Sequence, residues 1–277
     1  LKPQRPFAPG AEWSGVVEAV GDDVTRFKIG DRVMATASFG GLSELINTKE
    51  SACRPMPASM PFVEAAGFQT AFGTSYYALR ERGALTAGQT LLVLGAAGGL
   101  GAAAVQIGKA LGARVVAIAS TEEKAVFVRE QGADEVAVIP PDPPSRALRD
   151  LVKTLCGAHG ANVVYDAVGG DLSEAALRAI AWNGRYLVVG FTAGIPRIAL
   201  NLALLKHAAI LGCRWGGFSR ANPAEAETLR AELDALYLCG ALRPIVTRVF
   251  PFSEAPAAIT ALGARRGIGK FVIDLSA

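Results

Sequence analysis

Leu91-Leu92-Val93-Leu94 runs directly into Gly95-Ala96-Ala97-Gly98-Gly99-Leu100-Gly101, and a helical pattern starts at once. A short continuous apolar run bounded by turn residues is what a strand covered on both faces looks like. The same alternation continues downstream. Strands are expected at 90–94, 114–119, 135–139, 162–166, 185–189 and 209–213, and helices at 99–111, 121–131, 145–156 and 172–182, with a proline-rich loop at 140–144. Strands alternating with helices mean parallel pairing through crossover connections, so this stretch predicts an α/β doubly wound sheet.

The flanks read differently. Residues 13–20 and 32–36 carry apolar and β-branched residues between Gly-Asp turns, 42–48 is a weaker third strand, and Pro55, Pro57 and Pro61 mark a connector before a helix over 62–82. At the other end, helices over 223–239 and 253–262 alternate with strands at 245–250 and 270–275. Two domains are therefore expected, one β-rich and one doubly wound.

Composition narrows the function. The 277 residues are 51% hydrophobic with a net charge of +3, which gives a nucleic-acid surface no support. Cys53, Cys156, Cys213 and Cys239 show no paired spacing, and His159 and His207 are the two histidines. The expectation is a reduced, metal-free, cytoplasmic protein. Residues 84–108 are uncharged and long enough to span a membrane, but six glycines and the strand-turn-helix pattern interrupt them, so a buried core is expected instead.

The glycine turn carries the chemistry. Against G-x-G-x-x-G the alignment is Ala96, Gly98, Gly101, with alanine in place of the first glycine. The later two still allow close backbone approach to a pyrophosphate and tight helix packing, and the helix N-terminus offers free N–H groups. Turns of this kind also join strands to helices for steric reasons alone; the setting inside a βαβ unit favours a dinucleotide. An NAD site places an acid at the end of the next strand, roughly 20 residues on. Here that point is Ala119 or Ser120, with Lys124 one helical turn later, where an ammonium meets a 2′-phosphate. NADPH is thus expected over NADH. The competing reading is that Ser120-Thr121-Glu122-Glu123 is a capping box and Lys124 a solvated cation.

Several segments resemble the medium-chain dehydrogenase/reductase superfamily, most of all its zinc-free NADPH:quinone oxidoreductase branch. They are residues 6–15, Gly21, Val24, Phe27, Gly30-Asp31-Arg32-Val33, 73–79, 96–101, Gly132-Ala133-Asp134, 166–170 and 188–191. The resemblance implies a Rossmann dinucleotide-binding domain at 73–242 and a GroES-like catalytic domain from 1–72 and 243–277. Ala11 stands where the zinc enzymes carry a histidine ligand, in agreement with a metal-free site. It implies hydride transfer from NADPH to a quinone or enone. The cofactor-binding set it implies is Thr74, Ala97, Gly98, Gly99, Leu100, Gly101, Ser120, Lys124, Gly190, Phe191, Thr192, Cys213, Arg214, Trp215, Lys270 and Phe271. Phe191 and Trp215 are equally readable as core aromatics. Arg214, an isolated cation in an apolar stretch, is expected to have a partner.

Two departures accompany the resemblance. Ile139 replaces an aromatic or histidine that helps hold the adenosine phosphate, and the leading strands of the catalytic domain have no counterpart before Leu1, so a truncated chain is expected. Other readings are an enoyl-thioester reductase and a non-catalytic NADPH-binding sensor or structural module. A homodimer joined edge to edge near 209–213 is expected, with no nucleic-acid or membrane partner.

Overall fold

The computed structural model describes residues 3–139, 145–264 and 267–275; the proline-rich loop expected at 140–144 lies outside them. The chain divides into two compact units, Leu1–Ala71 with Pro244–Ala277, and Phe72–Arg243.

In the first unit, β1 (Glu12–Val16), β2 (Arg32–Thr36) and β3 (Cys53–Pro55) form an antiparallel sheet in that order. The third strand is not the one expected at 42–48, which forms no strand; the ladder continues instead through Cys53–Pro55, where Pro55 sits at the strand's end on the sheet edge. The helix expected over 62–82 is interrupted. Phe62–Ala65 and Gln69–Tyr76 are α-helical, residues 66–68 turn, and Tyr77–Arg82 winds as a π-helix. The division between the units falls inside Gln69–Tyr76.

The second unit holds β4 (Thr90–Leu94), β5 (Arg114–Ala119), β6 (Glu135–Val138), β7 (Ala161–Asp166), β8 (Ile180–Val188) and β9 (Ala209–Gly212). All pair parallel, in the order β6-β5-β4-β7-β8-β9. This is a Rossmann-type sheet. The chain leaves β4 toward one edge and returns at β7 toward the other, so a crevice opens beyond the carboxyl ends of β4 and β7. Leu91 to Leu94 are all buried, as the unbroken apolar run requires. Leu92, Leu94, Val116, Val164, Leu177 and Tyr186 share one core with Ile139, whose side chain is turned inward rather than toward a ligand.

Helix Leu172–Arg178 ends four residues earlier than expected, and residues 180–182 belong to a longer β8. Ala179 already closes the helix, and Asn183 adopts φ +63° within the strand. Two short helices, Asn201–Lys206 and Trp215–Ala221, have no counterpart in the expected elements. Gly132-Ala133-Asp134 turns into β6 with Asp134 clasped by the Lys109 ammonium and the Val115 N–H, each at 2.7 Å. Partial burial opposes ionisation of Asp134, but those two donors outweigh it and hold the carboxyl below its ordinary value.

The β10 (Val246–Pro251) and β11 (Lys270–Asp274) strands return to the first unit as a parallel pair, with the helix Ala255–Gly263 between them. No helix among the described residues is long and apolar enough to cross a membrane.

Leu92 is fully buried at the centre of the parallel sheet. Leu92→Ala is therefore expected to destabilise the chain by about 2–5 kcal/mol, read as a lower denaturant midpoint. An unchanged midpoint would mean that this layer is not close-packed.

Candidate functional site

The crevice is built around the turn after β4. Gly95 takes φ +71°, and Gly98 occupies the N-cap of helix Gly99–Ala110 with no side-chain cap. The N–H groups of the first helical turn have no intrahelical acceptor, so they and the positive end of the helix dipole face the crevice as a ready anion site. Gly101 sits where a Cβ would lie 2.2 Å from the Gly95 carbonyl oxygen and 2.7 Å from Ala96 Cα. Any side chain there separates strand from helix. Ala96, which replaces the first fingerprint glycine, is fully buried and tolerated, because the sharp backbone turn has moved to Gly95. Gly98 is exposed, Gly99 and Leu100 are half-buried, and Ala97 is buried.

A buried pair ties this turn to its surroundings. Ser75 Oγ donates to the Leu100 carbonyl at 2.9 Å and lies 2.8 Å from Tyr165 Oη. Both residues are fully buried, and burial pushes the Tyr165 phenol well above its ordinary value. The sequence signal for this contact is absent, since Ser75 and Tyr165 are 90 residues apart. Thr74, next to Ser75, is half-buried.

At the end of β5, the Lys124 ammonium donates to Ser120 Oγ at 3.1 Å, which brings together the two residues expected at a 2′-phosphate. The competing reading, in which Ser120 caps the helix, does not hold. Thr121 is the N-cap, and its Oγ1 accepts from the Lys124 N–H at 3.2 Å. Ser120 lies one residue outside the helix and is left for its contact with the lysine side chain. Glu122 faces Arg129 at 3.7 Å, so its negative charge has a partner on its own helix.

Beyond β8, Gly190 is half-buried, while Phe191 and Thr192 are exposed. Phe191 is 47% exposed and so is not a core aromatic. Thr192 Oγ1 donates to the Ala167 carbonyl at 3.3 Å. After β9, Cys213 is buried, and burial pushes its thiol up to about 11 against the lowering effect of Arg82. Arg214 is exposed and begins the helix Trp215–Ala221. Its charge is open to solvent at the start of that helix. Trp215 packs into an aromatic cluster, 5.8 Å from Tyr77 and 6.1 Å from Phe218 by ring centroids, with the Arg230 guanidinium 5.3 Å over its ring. A Cβ on Gly73 would fall 2.8 Å from its indole nitrogen, so glycine at 73 makes room for the tryptophan.

Lys270 and Phe271 belong to the first unit. The Lys270 ammonium pairs with Glu12 at 3.0 Å, and Glu12 also accepts the Thr70 N–H at 2.8 Å. The Glu12 side chain is only 6% exposed, so this pair is largely withdrawn from water. Phe271 packs on Phe250, with ring centroids 5.2 Å apart. Among the described residues, no group of three or more His, Cys, Asp or Glu is placed to hold a metal ion.

Residues 1–87 match the family model of the alcohol dehydrogenase GroES-like domain, and residues 99–232 match that of the zinc-binding dehydrogenases. The quinone oxidoreductase-like protein 2 homolog of Nematostella vectensis is 38% identical over 280 residues, covering 99% of this chain and 74% of that protein. Among solved structures, the Escherichia coli quinone oxidoreductase complexed with NADPH aligns with a TM-score of 0.89 at 27% identity, covering 99% of this chain and 84% of that one. The CurK enoyl reductase aligns with a TM-score of 0.83 at 26% identity, covering 97% and 79%.

The two fingerprint glycines differ in how much room they have. An added Cβ at Gly98 meets only the Gly95 carbonyl, at 3.5 Å. Gly101→Ala is expected to lose about 1–3 kcal/mol of stability, as overpacking does, while Gly98→Ala stays within about 0.5 kcal/mol. Thermal melts of the two variants make the comparison, and equal melting temperatures would remove the steric argument.

Proposed function

Because this chain belongs to the zinc-free quinone oxidoreductase branch of the medium-chain dehydrogenase/reductase superfamily, an oxidoreductase, we propose that it passes hydride from NADPH to a quinone or an α,β-unsaturated carbonyl. The observation that carries the reading is the uncapped helix N-terminus behind Gly95 and Gly98 at the end of β4, with Ser120 and Lys124 at the end of the neighbouring β5. The glycine turn and free N–H groups suit a pyrophosphate. The Lys124 ammonium and the Ser120 hydroxyl suit a 2′-phosphate, where an NAD site would place a carboxylate.

In this reading the unit Phe72–Arg243 is the cofactor domain, and the other unit is the GroES-like catalytic domain. NADPH, when bound, supplies the hydride. The chain's own residues orient and shield. The first-turn N–H groups of Gly99 to Gly101 hold the pyrophosphate, and Thr74, Gly190, Phe191 and Thr192 border the nicotinamide half. Cys213, Arg214 and Trp215 close the same side. Cys53, Cys156, Cys213 and Cys239 are free thiols, which supports a reducing, cytoplasmic setting.

The likeness to the CurK enoyl reductase favours a second acceptor class, an enoyl thioester. The ratio of kcat/KM for a simple quinone to that for an acyl thioester decides between the two.

The cofactor reading is tested by titrating NADPH and NADH separately, then following cofactor oxidation on adding a quinone. Tighter NADPH binding with turnover is expected. Lys124→Ala should weaken NADPH by about tenfold while leaving NADH nearly unchanged, as loss of one charge-assisted contact to phosphate implies. Equal losses for both nucleotides would sink the assignment of Lys124.

A homodimer is part of the same proposal. Strand β9 is an edge strand, and Trp182, Leu204 and Leu205 are exposed at 69%, 81% and 65% in the elements around it. A second copy pairing along β9 would cover both the open backbone edge and apolar surface. Sedimentation is expected to give a dimer at working concentration; a pure monomer would refute it.

A further inference from the structure

The last residue of β7 carries a constellation that the cofactor reading does not use. Asp166 is 3% exposed, and both of its carboxylate oxygens are engaged. Oδ1 accepts the backbone N–H groups of Val168 and Gly169, each at 2.8 Å. Oδ2 accepts the Ser173 hydroxyl at 2.6 Å and the Tyr186 hydroxyl at 2.5 Å. These four donors are neutral, so dipoles surround the carboxylate. Burial, together with the adjacent Asp166, pushes the Tyr186 phenol well above its ordinary value, which keeps its proton in place to donate. The Asp166 main-chain carbonyl accepts two further N–H groups, from Val189 at 2.9 Å and Gly190 at 3.2 Å.

What the carboxylate holds is a turn, and the turn is laced to the loop after β8. Gly169 and Gly170 take φ +74° and +60°. A Cβ on Gly169 would lie 2.3 Å from the Gly194 carbonyl oxygen. The Ala193 N–H donates to the Val168 carbonyl at 2.7 Å and the Gly170 N–H to the Gly194 carbonyl at 2.9 Å. Thr192 Oγ1 reaches the Ala167 carbonyl. The path from Asp166 to residues 190–194 is thus a continuous set of hydrogen bonds with little freedom to slide. An ionised carboxylate accepts at four sites, two on each oxygen, and no other side chain this short does so.

We propose that Asp166 is the positioning residue for the nicotinamide half of the cofactor, acting through the 167–170 turn on Gly190, Phe191 and Thr192. The proposal rests on the NADPH reading above. Asp166 touches neither cofactor nor substrate in this account; it sets the one loop shape that borders the ring. Replacing it with asparagine turns an acceptor into a donor toward Ser173 and Tyr186, so the turn loses its unique geometry.

The test uses two probes on the purified full chain: NADPH, and adenosine 2′,5′-bisphosphate, which lacks the nicotinamide half. Asp166→Asn is expected to weaken NADPH by about tenfold or more while changing the bisphosphate by less than about twofold. Tyr186→Phe keeps both N–H contacts to Oδ1, so a smaller loss in the same direction is expected, again confined to NADPH. If Asp166→Asn does not accumulate as folded protein, the Tyr186→Phe constants decide. Equal losses on both probes, or unchanged NADPH binding in both variants, would overturn the proposal. A wild-type chain that binds neither probe would overturn the cofactor reading instead.

Discussion

Between Gly101 and the carbonyl of Gly95 there is no room for a carbon atom. A Cβ there would stand 2.2 Å from the oxygen, well inside any van der Waals contact. That closeness lets the helix Gly99–Ala110 begin directly on the end of β4 and aim its N-terminus along the strand. The sheet order adds the second half of the requirement. Because β4 is flanked by β5 on one side and β7 on the other, the connections on its two sides leave in opposite senses, which is where a doubly wound sheet opens its crevice. An anion-attracting terminus and an open crevice therefore coincide for topological reasons, before any specific side chain is considered.

The neighbouring strand then shapes both sides of that space with two consecutive residues. Successive side chains on a strand point to opposite faces. Tyr165 meets Ser75, whose hydroxyl holds the Leu100 carbonyl. Asp166 meets Ser173, Tyr186 and the turn that follows it. One strand end thus steadies the helix start with one residue and the opposite loop with the next. Neither residue needs to reach a ligand to matter. Rigid walls reduce the ordering that binding must otherwise supply, which is why fully satisfied buried polar groups are placed there.

The sheet and the glycine turn were legible because their signals are local. Four buried residues in succession at 91–94, followed by glycines, have few other solutions. Lys124 was legible for the same reason, one helical turn from Ser120. The failures have a common cause in distance along the chain. Residues 42–48 form no strand, whereas Cys53–Pro55, hidden among prolines, pairs with β2. The start of β8 was absorbed into the preceding helix, because residues 172–182 keep a helical apolar spacing until pairing with β7 takes over at Ile180. Ser120 looked like a cap because it stands three residues before Glu123; the helix chose Thr121, one residue later. The side-chain partners of Asp166 lie 7 and 20 residues away, and those of Ser75 and Tyr165 are farther still. No window of sequence contains such a network.

The pairing of Glu12 with Lys270 spans 258 residues, and this bears on how the chain is made. A ribosome delivers Glu12 before Lys270, with the whole Phe72–Arg243 unit emerging in between. That middle unit is continuous in sequence, so it has all of its strands available before Lys270 is made. The first unit does not. Until β11 arrives, the Glu12 carboxylate lacks the cation that accompanies it out of water, and burying it alone is costly. Vectorial synthesis therefore imposes an order. The doubly wound unit can close while the β-rich unit waits, its β1 still wet, for β11 to bring the lysine.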